Sequence, residues 1–439
     1  MVQIEDPDVR LLREMGYTQE LYRGFSSFMS FAFCFTAVNV LTSISIGFTY
    51  SLNTGGSGVT IWAWIIGAIF TILIGLSLAE ICSVYPSAGS VYHWAGQLVS
   101  AKHAPLASFI CGWFNFIGNF ADVAFASGFA TIINAAIILE GKDSLSTGAQ
   151  VGIAIGITFV WAVQNALRID QQGWLNNFAV IFQLGSAVTI VTVLLAMAPE
   201  RATAHNVFTS TYNGTGFPFP YVCFIDLNMF LLSSNFQAGA HLAEETRDAS
   251  RAGDFAMARD GVFPLSVYLR WIFKRTKTPL GNVIFVFVID CLLLLLQLAS
   301  TTAFTAILSI ATLGYQISYF MPIFFRCTAA RHTFPIGEFN LGRFSLPIAI
   351  ISAAWLFITS IIMFFPAEYP VTKDNMNYAV VIVGGVAFLA GAYWIISARH
   401  WFVGPKRTTI NHNKLSSDQT INDDTRDRTP SLSVIHIRL

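Results

Sequence analysis

Residues 33–56 read FCFTAVNVLTSISIGFTYSLNTGG, and residues 219–245 read FPYVCFIDLNMFLLSSNFQAGAHLAEE. Both stretches are apolar and exceed the roughly 20 residues that a membrane-spanning helix needs. Small and polar residues interrupt each near its middle, at Thr36–Ser45 and at Ser233–Gly239. Two interpretations are open: a helix–helix interface, which small residues and hydroxyls favour, or a break in a discontinuous helix that lines a binding site.

The composition of the whole chain is that of a membrane protein. Of its 439 residues, 54% are hydrophobic and 11% are charged, and the mean hydropathy is +0.59. A soluble domain has about 25% charged residues, so a water-exposed surface around a single core is excluded. Lys and Arg number 25, as do Asp and Glu, so the chain lacks the basic excess that nucleic-acid binding requires.

Ten apolar runs are long enough to cross a bilayer. Lipid cannot satisfy the backbone of an open strand, so the sequence predicts an all-α polytopic membrane protein with ten spans. They lie at 26–52, 60–82, 107–139, 149–167, 174–198, 219–243, 280–299, 301–325, 346–366 and 377–398. The predicted organisation is a cytosolic segment 1–25, a transmembrane domain 26–402 and a disordered cytosolic tail 403–439.

The basic residues indicate the orientation. With the N-terminus in the cytosol, the outside connections contain only Lys142, Arg201 and Lys373 of the 25 Lys and Arg residues. Cytosolic loops are the ones enriched in Lys and Arg, so both termini are predicted to be cytosolic. Asn213 begins an Asn-Gly-Thr sequon in an outside loop, which makes it a candidate glycosylation site.

The chain shows no signature of an enzyme or of an ATP-driven pump. It contains no G-x-x-x-x-G-K-[ST], HExxH, CxxC or GxSxG sequence, and we expect neither a cofactor nor a metal. If the interruptions are breaks, broken first and sixth helices are typical of an inverted-repeat transporter fold.

Several further stretches resemble the amino acid–polyamine–organocation superfamily of permeases. EICSVYPSAGSVYHWAG (80–96) is similar to the family's E-x-x-S-x-x-P motif at the end of span two. HLAEETRDASR (241–251) and ARDGVFP (258–264) are similar to its loops after spans six and eight. GEFNLGRF (337–344) and PVTKDNMNYA (370–379) resemble the amino-acid/choline branch, which includes γ-aminobutyrate permeases. The resemblance covers residues 15–405.

The resemblance also implies a deletion. In the family two spans separate the loops after spans six and eight, whereas here only residues 252–257 lie between them. Two spans need at least about 40 residues. The chain therefore lacks the family's seventh span and most of its eighth, which leaves the second repeat incomplete after residue 251. A splice variant and an error in the gene model both explain this gap.

The resemblance places the substrate site at the two interruptions. In the superfamily, the carboxylate and the amine of the substrate meet backbone groups that the broken helices expose. The corresponding residues are Leu41, Thr42, Ser43 and Ser45 in span one and Asn235, Phe236 and Gln237 in span six. Phe236 would cover the substrate. The family usually has glycine where Asn235 stands and often an acid at Gln237, so the break and the contact to an ammonium group are both weaker here.

Three acidic residues lie within the predicted spans, namely Asp122, Asp226 and Asp290. Acids at this depth are costly and usually functional, and no Lys or Arg lies in any span to pair with them. A carboxyl group bonded to a neighbouring helix remains the alternative. Asp122 follows Asn115 and Asn119 on one predicted helix face, so it is the candidate for proton coupling.

The sequence thus predicts secondary active transport of an amino acid or a related small amine, similar to γ-aminobutyrate, and coupled to protons. The alternative is a truncated isoform without transport, or a nutrient sensor, on the same scaffold. The expected partners are the small-molecule substrate and the lipid bilayer. The choice between plasma membrane and an organelle membrane, and the oligomeric state, stay open.

We expect a tag on the C-terminus to be reached by an antibody only after the membrane is permeabilised. The reason is the asymmetry of the basic residues together with an even number of spans. Intact cells carrying a tag at either end provide the measurement, and labelling of the C-terminal tag in intact cells would contradict the topology.

Overall fold

The computed structural model describes residues 51–85, 89–119, 122–167, 169–223, 271, 273, 278, 280–299, 301–337, 339–366, 369–372 and 376–405. Predicted spans one and six lie outside this set except for residues 51–52 and 219–223, which are helical. Within the described residues the regular structure is helical, apart from one isolated bridge between Phe273 and Thr278. This confirms the all-α class.

The described helices are numbered here in chain order. They are α1 (Gly56–Val84), α2 (Ser90–Gln97), α3 (Ala104–Gly118), α4 (Asp122–Leu139), α5 (Thr147–Ala166), α6 (Ile169–Met197), α7 (Ala204–Thr209), α8 (Leu280–Ala299), α9 (Thr301–Cys327), α10 (Ser345–Ile362), α11 (Ala379–Tyr393) and α12 (Arg399–Trp401). A short 3₁₀ turn, Gly342–Phe344, precedes α10, and a π turn, Trp394–Ala398, joins α11 to α12.

Six stretches of the described chain are long and apolar enough to cross a membrane. These are Gly56–Val84, Thr147–Ala166, Asn177–Met197, Leu280–Ala299, Gly342–Ile362 and Ala379–Trp401. They coincide with predicted spans two, four, five, seven, nine and ten. Helix α9 has 27 residues and covers predicted span eight. The protein is therefore a polytopic helical membrane protein.

Predicted span three contains two described helices. Helix α3 ends at Gly118 and α4 begins at Asp122, with residues 120–121 outside the described set. Asp122 is the first residue of α4 and lies near the middle of predicted span 107–139. The predicted common face of Asn115, Asn119 and Asp122 includes residues on both sides of this gap and stays a prediction.

Small residues allow the helices to approach one another closely. A buried cluster joins α4, α5 and α8 through Val123, Ala126, Ala130, Val151, Ala154 and Leu294. Helix α9 packs against α3 and α10, and α10 packs against α1. In a bilayer, close van der Waals packing and polar contacts replace the hydrophobic drive between helices. The helices α1, α3, α9 and α10 thus position the polar contacts described next.

Candidate functional site

The residues predicted to bind substrate lie outside the described part of the chain. They are Leu41, Thr42, Ser43, Ser45, Asn235, Phe236 and Gln237. The structure does describe the outer end of span one, the segment that enters span six, and the helices α1, α3, α9 and α10. These parts include the described residues that flank the two interruptions in the sequence.

Backbone hydrogen bonds tie the outer end of span one to the segment that leads into span six. With the N–H donor named first, they join Gly214 to Asn53 (3.0 Å), Tyr212 to Gly55 (3.1 Å) and Gly58 to Ser210 (2.8 Å). The segment is also held on its other side, where the Tyr369 N–H donates to the Thr215 carbonyl over 2.8 Å. The residues that follow predicted span one are thus linked to those that precede predicted span six.

Two glycines at the start of α1 make this close approach possible. Gly56 has φ +78°, a conformation that only glycine adopts without strain. A Cβ at Gly56 would lie 2.7 Å from the Tyr212 nitrogen, and one at Gly58 would lie 2.9 Å from the Ser210 oxygen. The glycines that follow span one therefore serve the contact with residues 210–214.

The sequon residue Asn213 belongs to an ordered turn in this outer segment. Its side-chain oxygen accepts the Thr215 N–H (3.1 Å) and the Thr215 hydroxyl (2.9 Å), and its Nδ2 donates to the Phe217 carbonyl (2.6 Å). Asn213 is exposed whereas Thr215 is buried. Glycosylation of Asn213 stays a prediction, and the turn gives its side chain a structural role.

Helices α3 and α9 cross at two glycines near the middle of the bundle. A Cβ at Gly314 would lie 2.6 Å from the Phe114 carbonyl oxygen and 2.9 Å from the Gly118 nitrogen. A Cβ at Gly118 would lie 2.7 Å from the ring of Tyr315. No larger residue fits at either position unless the helices move apart.

Polar side chains surround this crossing. The Tyr315 hydroxyl donates to the Asn119 side-chain oxygen over 2.7 Å. One residue further, the Gln316 amide donates to the Thr359 hydroxyl of α10 over 2.7 Å. Asn115 is 2% exposed, and its side-chain oxygen has no hydrogen-bond partner among the described residues. Asp122 follows Asn119 by three residues in the sequence.

A second group of polar contacts lies at the inner end of α1, the end that the sequence places in the cytosol. The Glu80 carboxylate accepts the Ser345 hydroxyl (2.6 Å) through one oxygen and the Leu341 N–H (3.2 Å) through the other. Glu80 is 2% exposed. The first residue of α10 and the turn before it are therefore attached to α1.

Arg326 completes this group from the last turn of α9. Its Nη2 donates to the Ser345 hydroxyl oxygen over 3.0 Å, and its guanidinium lies 4.1 Å from the centre of the Phe334 ring. Arg326 lies just beyond predicted span 301–325. Burial lowers the pKa of its guanidinium, and the charge of Glu80 acts in the opposite direction. The Ser345 hydroxyl thus links two buried, opposite charges.

One helical turn after Glu80, Ser83 makes a parallel set of contacts. Its hydroxyl oxygen lies 2.9 Å from the carbonyl of Phe339, to which it donates, and a Cβ at Gly337 would collide with the same hydroxyl. We call the contact of residues 337–345 with Glu80 and Ser83 the inner clamp. Two of the sequence motifs, EICSVYP and GEFNLGRF, therefore contact each other.

The sequence interpretation missed Arg326 and Ser345. Arg326 is the last charged residue at the inner end of an apolar run, where basic residues are expected for topology alone. A signal was nevertheless present: Glu80 lies at the end of span two, within the E-x-x-S motif, without a nearby basic residue in sequence. A buried carboxylate needs such a partner from elsewhere in the chain.

No group of three or more His, Cys, Asp or Glu side chains that could hold a metal occurs within the described ranges. The described site is instead built from hydroxyls, amides, one carboxylate and one guanidinium between apolar helices. Apolar helices with polar contacts between them are typical of a polytopic membrane protein.

Comparison with known proteins identifies the family. The profile of the amino acid permease family matches residues 25–258 and 248–388. The chain is 29% identical to amino-acid permease BAT1 of Arabidopsis thaliana, with 90% of this chain and 95% of the relative aligned. It is also 29% identical to the BAT1 homolog of Oryza sativa subsp. japonica (90% and 94% aligned) and 25% identical to amino-acid permease 2 of Neurospora crassa (94% and 91%).

The chain therefore belongs to the amino acid permease family, which confirms the resemblance seen in its motifs. Its class is that of amino-acid transport across a membrane, not of enzymes. The substrate is accordingly a small molecule, and the surroundings are lipid.

We expect Gly314→Ala to lower the melting temperature of the detergent-solubilised protein, because the new Cβ meets the backbone of α3. Overpacking of this kind costs about 1–3 kcal/mol. Gly384→Ala in α11 is the matched control, since a Cβ there meets nothing within 4 Å. Equal melting temperatures for the two variants would contradict the close crossing.

Proposed function

We propose that this chain is a secondary active transporter of an amino acid or a related small amine, with the substrate held between Thr42–Ser45 and Asn235–Gln237. Its membership of the permease family and the two polar interruptions support this site. The hydrogen bonds that tie residues 53–58 to residues 210–214 support it further, because they hold the two interrupted spans together at one end.

The substrate we propose is similar to γ-aminobutyrate. This rests on the resemblance of GEFNLGRF and PVTKDNMNYA to the branch that includes γ-aminobutyrate permeases. At Gln237 a neutral amide stands where relatives of the superfamily often have an acid. A neutral group favours contact with the substrate through hydrogen bonds over a direct ion pair, since it offers dipoles and no charge.

We further propose that transport is coupled to protons through Asp122. An acid within a predicted span, with no basic residue in any span to pair with it, is costly to keep charged. Burial favours its protonated form, so it can take up and release a proton during transport. The bonded pair of Tyr315 and Asn119 places polar groups three residues before Asp122 along the chain. Both termini are proposed to face the cytosol.

We expect Asp122→Asn to abolish most of the uptake of a labelled amino acid and to remove its dependence on external pH. Asp290→Asn is the matched comparison, because Asp290 is also an acid within a predicted span. Uptake is measured against external pH in a version of the chain with the missing helix pair restored. An unchanged rate and pH profile in Asp122→Asn would reduce Asp122 to a packing residue.

The second candidate function is a truncated form that transports little or nothing. The alignment with the Arabidopsis relative extends over 492 positions, more than the 439 residues of the whole chain. At least 53 of the aligned positions therefore have no residue in this chain. This number supports the absence of a helix pair but does not show where in the chain the pair is absent.

The exposure of α6 favours this second candidate. Ile181, Phe182, Ile190, Val191 and Leu194 are each at least 41% exposed. Successive helix residues are turned by about 100°, so these five point in several directions from α6, although Val180 is buried. A helix in a complete bundle buries one side against its neighbours, so such wide exposure agrees with a bundle from which neighbouring helices are missing.

Loss of the eighth span has a specific cost at the proposed site. In the family that span faces the broken first span. Without it, backbone groups freed at Thr42–Ser45 face lipid, and each unsatisfied group costs several kcal/mol. Alternating access also requires two repeats that rock against each other, and the second repeat is short by two helices.

We therefore expect this chain to take up its substrate far more slowly than a version in which the helix pair of a relative is inserted between residues 251 and 258. The two are compared by uptake of labelled γ-aminobutyrate and of labelled amino acids at equal surface expression. Equal rates would show that spans seven and eight are dispensable.

A further inference from the structure

Glu80 and Arg326 carry opposite charges, both are buried, and neither contacts the other directly. The Ser345 hydroxyl lies between them, donating to Glu80 over 2.6 Å and accepting from Arg326 over 3.0 Å. The carboxylate oxygen and the guanidinium nitrogen are consequently at most about 5.6 Å apart. Opposite charges at this distance in a low-dielectric interior attract each other strongly.

The hydrogen bonds of the two groups are unequal. Both oxygens of Glu80 accept a bond, whereas Nε and Nη1 of Arg326 have no acceptor in the described part of the chain. Arg326 is only 8% exposed, and a buried donor without an acceptor is costly. The guanidinium therefore has two donors available for a carboxylate that comes closer.

Few hydrogen bonds attach the segment between the two charges to α1. Residues 337–344 lie between α9 and α10. In the described part of the chain their hydrogen bonds with α1 are those of Glu80 and Ser83, and Gly337 also lies close to Val84. Gly342 has φ +56°, and a Cβ there would meet nothing within 4 Å. Phe339 and Phe344 are exposed. Rotation at Gly342 can therefore release the segment from α1.

We propose that Glu80, Ser345 and Arg326 form a two-state gate at the inner end of the bundle. In the arrangement seen here the gate is closed: Ser345 bonds to Glu80 and holds residues 337–345 against α1. In the open arrangement the Leu341 N–H and the Ser345 hydroxyl leave Glu80, and its carboxylate pairs directly with Arg326 through Nη2 and one of the two available donors, Nε or Nη1. Bidentate pairs of this kind are among the strongest hydrogen-bonded contacts in proteins.

Glu80 is accordingly a positioning residue of the gate. Because Glu80 exchanges one set of partners for another, its buried charge is compensated in both states. The two states can therefore be similar in free energy, which a ligand-driven change requires. The role as a gate rests on the proposed transport function. The two-state equilibrium itself does not, and it can be measured in a chain that transports nothing.

The test is hydrogen exchange of residues 336–344 in the full chain, reconstituted in lipid nanodiscs and followed by mass spectrometry. The Leu341 N–H is bonded to Glu80 when the gate is closed, so its exchange reports the population of the open state. Ser345→Ala removes a closed-state bond to a charged group, and exchange should be about tenfold faster. Ser345→Thr keeps the hydroxyl and should exchange as the parent chain does.

Arg326→Gln gives the decisive comparison. This substitution removes the positive charge with which Glu80 pairs in the open state. The hydrogen bonds from Ser345 and Leu341 to Glu80 stay in place. The two-state gate predicts slower exchange of residues 336–344 than in the parent chain. If Arg326 only braces the closed contact, its loss should make exchange faster. Faster or unchanged exchange in Arg326→Gln would overturn the proposal.

The matched control is Ser352→Ala, which removes another buried bond between α10 and α1, the one from Ser352 to Ser77 (3.3 Å). Exchange of residues 336–344 should not change in this variant, and exchange of residues 204–212 at the outer side should not change in any of them. If Ser352→Ala accelerates residues 336–344 as much as Ser345→Ala does, the effect is a general loosening of α10 and the gate is excluded.

Discussion

Polar groups inside a bilayer must find their partners within the protein, because lipid offers none. The described structure follows this constraint at three depths. At the outer side, backbone groups of residues 53–58 bond to residues 210–214. In the middle, Tyr315 bonds to Asn119 and Gln316 to Thr359. At the inner side, Glu80 bonds to Ser345 and Leu341. Each contact joins elements that are distant in sequence. Because apolar helix surfaces alone do not determine which helices pack together, these hydrogen bonds help to specify the arrangement.

The helices themselves follow from the sequence. Runs of about 20 apolar residues are a strong signal, and their ends in the described chain fall close to the predicted ones, as for α8 and predicted span 280–299. Residues 107–139 are apolar enough to predict one span, and the structure describes helices α3 and α4 on either side of residues 120–121. The close approach of Gly118 to Tyr315 was not predicted. A tertiary contact of this kind leaves no periodicity in the chain.

The partners of Glu80 and Ser83 could not be predicted from the sequence. The E-x-x-S motif contains both residues, but a motif does not show which distant residue a side chain meets. A serine at the start of a helix, such as Ser345, is expected without any further role. The same holds for an arginine at the cytosolic end of a predicted span, such as Arg326. Their pairing with Glu80 depends on how α1, α9 and α10 pack, and no pattern in a single sequence encodes that packing.

The contacts at the two ends of the bundle and the proposed site at its middle depend on different parts of the chain. The outer bonds join α1 to residues 210–214, and the inner clamp joins it to residues 337–345. In the proposed truncated form, the middle of span one would lack the eighth span, which faces it in the family. Such a chain would keep the contacts at both ends, while the proposed substrate site would lose a wall. That loss would lower transport without unfolding the rest, since each end of the bundle is held by its own hydrogen bonds.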